Sequence, residues 1–291
     1  MTAYEYLLEP FVQFSFMRRA LVACLALSMG CGPVGVLLML RRMSLMGDAL
    51  SHAILPGVAV AFLLAGFSLP AMTLGGFVAG LAVAILAGTL SRVTLLKEDA
   101  SFAAFQLISL SVGVLIVSTR GGNVDLLHVL FGSVLAVDDH ALLLVASIAS
   151  VSLLTLAILY RPLIIDSFDP GYLRTLHGRS GIWQTLFLAL VVMDLVAGFH
   201  ALGAMMAVGM MMLPAIAARF WARSVWSMMG VAALIALLSG FAGLVLSFHH
   251  QLPSGPAIIL TTGLFYLFSL VFAPLGMVRM RFGLVGQHRK G

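Results

Sequence analysis

From Ala20 to Ala273 the chain is a succession of apolar runs, most about as long as a lipid bilayer is thick, separated by short segments that hold most of its charge. A helix needs about 20 largely apolar residues to cross the hydrocarbon core, because each residue advances it by about 1.5 Å. Runs of that kind fall at 20–40, 49–66, 70–90, 103–118, 141–160, 183–200, 201–218, 225–247 and 256–273. Lipid offers no hydrogen bonds, so each run must satisfy its own backbone. The expected fold class is therefore an all-α membrane protein, a polytopic bundle of about nine transmembrane helices. The run at 103–118 is short, and the junction at His200 leaves almost no room for a loop. A further apolar stretch, 123–137, is too short to span comfortably and reads as a re-entrant or surface helix.

Composition agrees. Of 291 residues 62% are hydrophobic and 9% charged, where a soluble domain has about half and about a quarter. The net charge of +5 is explained by cations gathered between apolar runs on one side of a membrane, so no nucleic-acid partner is implied. With the segment 161–182 placed in the cytoplasm, that side holds Arg41, Arg42, Arg92, Lys97, Arg161, Arg174, Arg179, Arg219, Arg223, Arg279, Arg281, Arg289 and Lys290, thirteen of the sixteen cations. The outside keeps Arg18, Arg19 and Arg120, with the N-terminus outside and the C-terminus inside. Counting 123–137 as a span reverses everything before it and gives twelve against four. Charge alone thus fixes the second half better than the first. The opening residues carry Glu5 and Glu9 and no early cation, which is not the pattern of a cleaved signal peptide. No long linker divides the chain, so residues 1–291 read as one transmembrane domain.

Small residues recur four apart at Gly76 and Gly80, Gly203 and Ala207, and Ser239 and Gly243, a spacing that lets helices approach closely in lipid. Pro33, Pro56 and Pro214 fall inside runs and should kink them. Cys24 and Cys31 are seven apart, roughly 10 Å along a helix, too far to form a disulfide with each other. Both read as buried apolar residues.

Ionisable residues within a span point to function. Asp48 and His52 are four apart, on one helical face, with Ser44 and Ser51 nearby. An Asp–His pair suits zinc, manganese or iron(II) and suits alkali ions poorly. One pair gives two ligands, and a symmetric dimer would give four. A hydrogen bond that locks two helices is the competing reading. Asp194 and His200 are six apart and share no face, so metal or proton handling there competes with a structural hydrogen bond. Asp138, Asp139, His140, His249 and His250 read as solvated outer residues that could meet a cation or an outer partner. With Lys only at 97 and 290 the sequence has no GxxxxGK[ST] phosphate loop, and no HExxH motif or GxSxG-type nucleophile element stands out.

The stretch RRMSLMGDALSHAILPGV, Arg41 to Val58, resembles the signature of the ABC-3 family of metal permeases, the membrane subunits of bacterial zinc, manganese and iron importers. The resemblance continues through DLLHVLFGSVLAV (Asp125 to Val137), SFDPGYLRTLHG (Ser167 to Gly178), LGAMMAVGMMMLPAIAAR (Leu202 to Arg219) and LPSGPAIIL (Leu252 to Leu260), nearly the whole chain. It implies the type II ABC importer fold, related to vitamin B12 and siderophore permeases without their first helix, and an outside N-terminus. It also implies an intramembrane metal site on Asp48 and His52. Where the family often has an acidic residue before the PSGP turn, this chain has Gln251, and Asp194 matches no family position.

The resemblance further implies a homodimer in the bacterial inner membrane, two cytoplasmic ATP-binding subunits and a periplasmic metal-binding protein. No cofactor is expected; the cargo is Zn2+ or Mn2+, with zinc preferred and iron possible, and ATP hydrolysis belongs to a separate subunit. Residues 166–178 are the expected coupling element. Asp169 can cap a helix begun by Pro170 and Gly171, Leu173 and Leu176 give it an apolar face, and Gly178 can end it. The bland alternative packs those leucines on the chain's own bundle. A stand-alone proton-coupled carrier working through Asp48 or Asp194 is the runner-up. It would need no ATPase dock, so the coupling-type segment disfavours it.

Overall fold

The computed structural model describes residues 3–95, 97–120, 137–168 and 180–277. Two short helices, α1 (Ala3–Leu7) and α2 (Glu9–Gln13), lead into α3 (Ser15–Leu40). Then follow α4 (Ser44–Ala53), α5 (Leu55–Ala65), α6 (Leu69–Val93), α7 (Glu98–Arg120) and α8 (Asp139–Phe168). The rest are α9 (Ser180–Leu202), α10 (Ala204–Ala218), α11 (Val225–His250) and α12 (Ser254–Phe272). The fold is an all-helical membrane bundle, and each of the nine apolar runs is found in it. Among the described residues eight helical stretches are long and apolar enough to cross, with α4 and α5 together forming one of them. The ninth, α10, has 15 residues, about 22 Å of rise.

Local chemistry sets the breaks. Pro56 has no N–H to continue the ladder, so the second crossing is interrupted at Ile54, between α4 and α5. Gly203 adopts φ 87° between α9 and α10, a conformation that glycine takes without strain. The two helices fold back there, and a Cβ on Gly198 would lie 2.5 Å from the Ala207 Cβ. Pro33 and Pro214 sit inside α3 and α10 as expected, and Pro162 inside α8 joins them.

Helices outrun the apolar runs that announce them. The run 141–160 becomes a 30-residue α8. The segment expected to be a cytoplasmic loop from 161 is therefore helical through Phe168, and helix resumes at Ser180. The short run 103–118 becomes the 23-residue α7, with Glu98 and Asp99 in a first turn whose dipole favours acids.

At the centre stands α3, with 72% of its apolar window buried against 17% for α6 at the edge. It packs on α8, α9, α10 and α11. Glycines set the closest approaches. A Cβ on Gly35 would fall 2.0 Å from the Met211 carbonyl oxygen, and one on Gly57 would fall 2.0 Å from that of Gly75. Gly76 and Gly80 face Val58 and Val192, and Gly243 faces Ile258, so these small-residue positions are helix contacts. Cys24 and Cys31 are free and buried.

The bundle has two chemically distinct ends. At one, Arg41 pairs with Asp166 at 2.9 Å and Gln184 reaches Glu98 at 3.5 Å. Trp221 Nε1 donates to Ser269 Oγ there at 2.8 Å. At the other, Arg19 pairs with Asp139 at 2.8 Å and Tyr6 stacks on His249 at 3.9 Å. Glu98 opens α7 at the Arg41 end, whereas Asp139 opens α8 at the Arg19 end. The last turn of α7 and the first of α8 therefore share an end, so both halves keep one orientation.

Candidate metal centre

The helix that carries Asp48 and His52 is placed by the turn before it. Arg42 takes a left-handed φ of 60°. Its N–H bonds the Met39 carbonyl, and the Met43 N–H bonds that of Leu38, both at 3.0 Å. This is a Schellman closure of α3, made with arginine where glycine is usual. It turns the chain back into α4 beside α7 and α10.

On α4, Asp48 Oδ1 lies 3.8 Å from His52 Nε2. A metal about 2.1 Å from each of two tetrahedral donors would hold them about 3.4 Å apart, so the pair can converge on an ion with a small side-chain adjustment. The other carboxylate oxygen, Asp48 Oδ2, accepts from Gln106 Nε2 of α7 at 3.1 Å. Ser51 Oγ is turned away from the site and donates to the Asp48 carbonyl at 2.7 Å. The Asp48 side chain is 56% exposed and that of His52 25%, on a face where Leu45 and Leu107 are also exposed. His52 Nδ1 is buried without a hydrogen-bond partner. Among the described residues no third His, Cys, Asp or Glu joins the pair.

The other candidate residues are placed apart. Asp194 is 2% exposed and accepts from Ser152 Oγ of α8 at 2.9 Å. A Cβ on Gly30 would lie 3.2 Å from its Oδ1. This is the geometry of a helix-locking hydrogen bond. His200 makes an edge contact with Phe199, and its Nε2 is buried without a partner. Asp138 caps α8 through the Ala141 N–H at 2.8 Å, and Asp139 is held by Arg19. His249 Nε2 donates to the Tyr6 carbonyl at 2.8 Å. Gln251, also left-handed at φ 51°, closes α11. Asp169, Pro170, Gly171, Leu173, Leu176 and Gly178 of the expected coupling element lie outside the described residues, as does 123–136.

Two features escaped the sequence reading. Gln106 is one polar residue in an apolar run, and only the tertiary contact gives it meaning. Arg41 is a buried hub. It bonds Asp166, and its Nε donates to Ser167 Oγ at 3.0 Å. Its guanidinium also lies 4.2 Å from the centre of the Phe187 ring. Burial pulls Arg41 below its ordinary pKa, and the Asp166 carboxylate opposes that pull.

Comparison with known proteins agrees with this architecture. The sequence profile of the ABC 3 transport family matches residues 13–273. The manganese import system permease protein ScaB of Streptococcus parasanguinis is 34% identical over 262 residues, 90% of this chain and 92% of that one. The chelated iron transport system membrane protein YfeD of Yersinia pestis is 30% identical over 273 residues, 94% of this chain and 90% of that one. The solved structure of PsaBC from Streptococcus pneumoniae in complex with Fab superposes with a TM-score of 0.85 at 28% identity, covering 97% of this chain and 100% of that chain. The names of these relatives carry manganese and iron, and the preference for zinc gains no support from them.

Proposed function

The chain belongs to the ABC 3 transport family, and from that premise we propose that it is the membrane-spanning permease of an ATP-driven importer of a divalent transition metal, with manganese the preferred cargo and iron the second. It works as one transmembrane unit in a bacterial inner membrane, with the Arg41 end in the cytoplasm. A separate subunit hydrolyses ATP, and an outer metal-binding protein delivers the ion.

The observation that carries this reading is the half-built site on α4. Asp48 and His52 offer two donors on an exposed face of the bundle, with Gln106 orienting the carboxylate. An exposed carboxylate is unfavourable in lipid, so the face calls for a cover. A second copy related by a two-fold axis supplies it and brings the donors to two carboxylates and two imidazoles. The carboxylates lean the set toward harder ions than an all-imidazole or thiolate site would. Manganese binds such sites more weakly than zinc, which suits an ion that must leave again. Nothing in the geometry favours the proton-coupled carrier.

The test is uptake of radiolabelled manganese by cells that lack their own importers and express the chain with its ATPase and binding protein. Manganese should accumulate, and excess iron(II) should compete. Accumulation of zinc without manganese would overturn the cargo, and failure to accumulate any metal would overturn the permease reading.

A further inference from the structure

A groove of about 500 Å³ opens on the side of the bundle between α8 and α11, with α3 as its floor. Ser28 and Pro33 of α3, Leu156 and Ala157 of α8, and Trp226 and Gly230 of α11 line it, and no residue of α4 or α7 does. On α11 the lining runs from Trp226 to Leu237, about 16 Å of helix, or close to half the hydrocarbon thickness of about 30 Å. The groove thus starts at the Arg41 end and reaches the depth of one leaflet. The space at Gly230 is open, since a Cβ there would meet nothing within 4 Å.

The mouth of the groove has a different chemistry. Tyr160 stacks on Trp226 with centroids 4.2 Å apart, an aromatic pair at the depth where such rings mark the membrane surface. Arg161 follows Tyr160 directly, and Arg223 precedes Trp226 by three residues. Both arginines are exposed, and neither is among the residues that form an ion pair within the described chain. A leaflet-deep apolar slot with two exposed arginines within four residues of its lining complements one kind of molecule. We propose that this groove is a binding site for an anionic phospholipid of the cytoplasmic leaflet, with an acyl chain lying on α3 and the phosphate held by Arg161 and Arg223.

A second copy of the chain is the competing occupant, but the metal face lies on α4 and α7, and a two-fold dimer uses one patch. Neither this groove nor a second one of about 380 Å³, lined by Pro70, Phe77, Leu144 and Met193 among others, has a cation in its lining, but the second also has no Arg or Lys within four residues of its lining along the chain and serves as the internal contrast.

The full-length chain, purified with its ATPase subunit, is titrated by native mass spectrometry with phosphatidylglycerol and phosphatidylcholine of identical acyl chains. Wild type should retain phosphatidylglycerol at least about fivefold more tightly, the expected size for one cation at the surface. Arg161→Gln with Arg223→Gln should equalise the two lipids. Gly230→Leu, which fills the groove, should weaken both. Glycerol phosphate, a headgroup without tails, should displace nothing. Equal retention by wild type, or an undiminished preference in the double arginine variant, would overturn the proposal. Displacement by glycerol phosphate would make the site one for soluble phosphate and overturn it too. So would a change of oligomeric state in Gly230→Leu with lipid retention unaltered.

Discussion

Asp48 divides its carboxylate between two neighbours, one oxygen 3.8 Å from His52 and the other accepting from Gln106. The first relation was legible in the sequence because it is local: four residues on a helix is one turn, and any helical reading puts both side chains on one face. The second was not, because it joins residues 58 apart and exists only once α4 and α7 are packed. Asp194 shows the same limit, since its Ser152 partner on α8 is invisible from spacing. If Gln106 orients the carboxylate for the ion, removing it should weaken binding without removing a ligand, and partners of that kind are worth about 10–100-fold in affinity. Gln106→Ala should raise the manganese concentration for half-maximal uptake by about tenfold, at wild-type protein level. An unchanged uptake curve would make Gln106 a bystander.

At the scale of elements, each of the nine apolar runs became helix, eight of them long enough to cross and α10 shorter at 15 residues, because the need of a helix to satisfy its backbone in lipid is written residue by residue. Helix ends were less legible. The hydropathy of α8 fails at Arg161, yet the helix continues to Phe168, where Arg41, just past the end of α3, receives Asp166 from its last turns. That pair is buried, with side chains 6% and 7% exposed. Removing the carboxylate strands a guanidinium that cannot shed its charge. Breaking such a pair costs about 3–5 kcal/mol, whereas replacing both partners by apolar groups is often neutral. Asp166→Ala should therefore lower the thermal midpoint of the detergent-solubilised chain markedly. Arg41→Met with Asp166→Leu should recover most of the loss. Equal melting of wild type and Asp166→Ala would show that the pair does not hold α3 to α8.

For the molecule as a whole, the sequence left open whether the first half had to be inverted, and the packed ends decide it. The Arg41–Asp166 and Arg19–Asp139 contacts put the start of α7 and the start of α8 at opposite ends. A permease driven by a separate ATPase subunit needs a docking element on its cytoplasmic side, and we propose residues 166–178 for that role. Changing Leu173 and Leu176 to Asp should abolish copurification of the ATPase subunit together with uptake; full copurification with normal uptake would remove the assignment. We propose that Asp48 and His52 hold the ion on its way through. The most direct test is ATP-driven uptake of radiolabelled manganese into proteoliposomes that hold the chain with its ATPase, supplied with the metal-loaded binding protein. Wild type is compared there with Asp48→Ala and His52→Ala at matched reconstitution. Each substitution should reduce uptake to background while the chain still inserts and still binds its ATPase. Near-normal uptake in both variants would contradict the account.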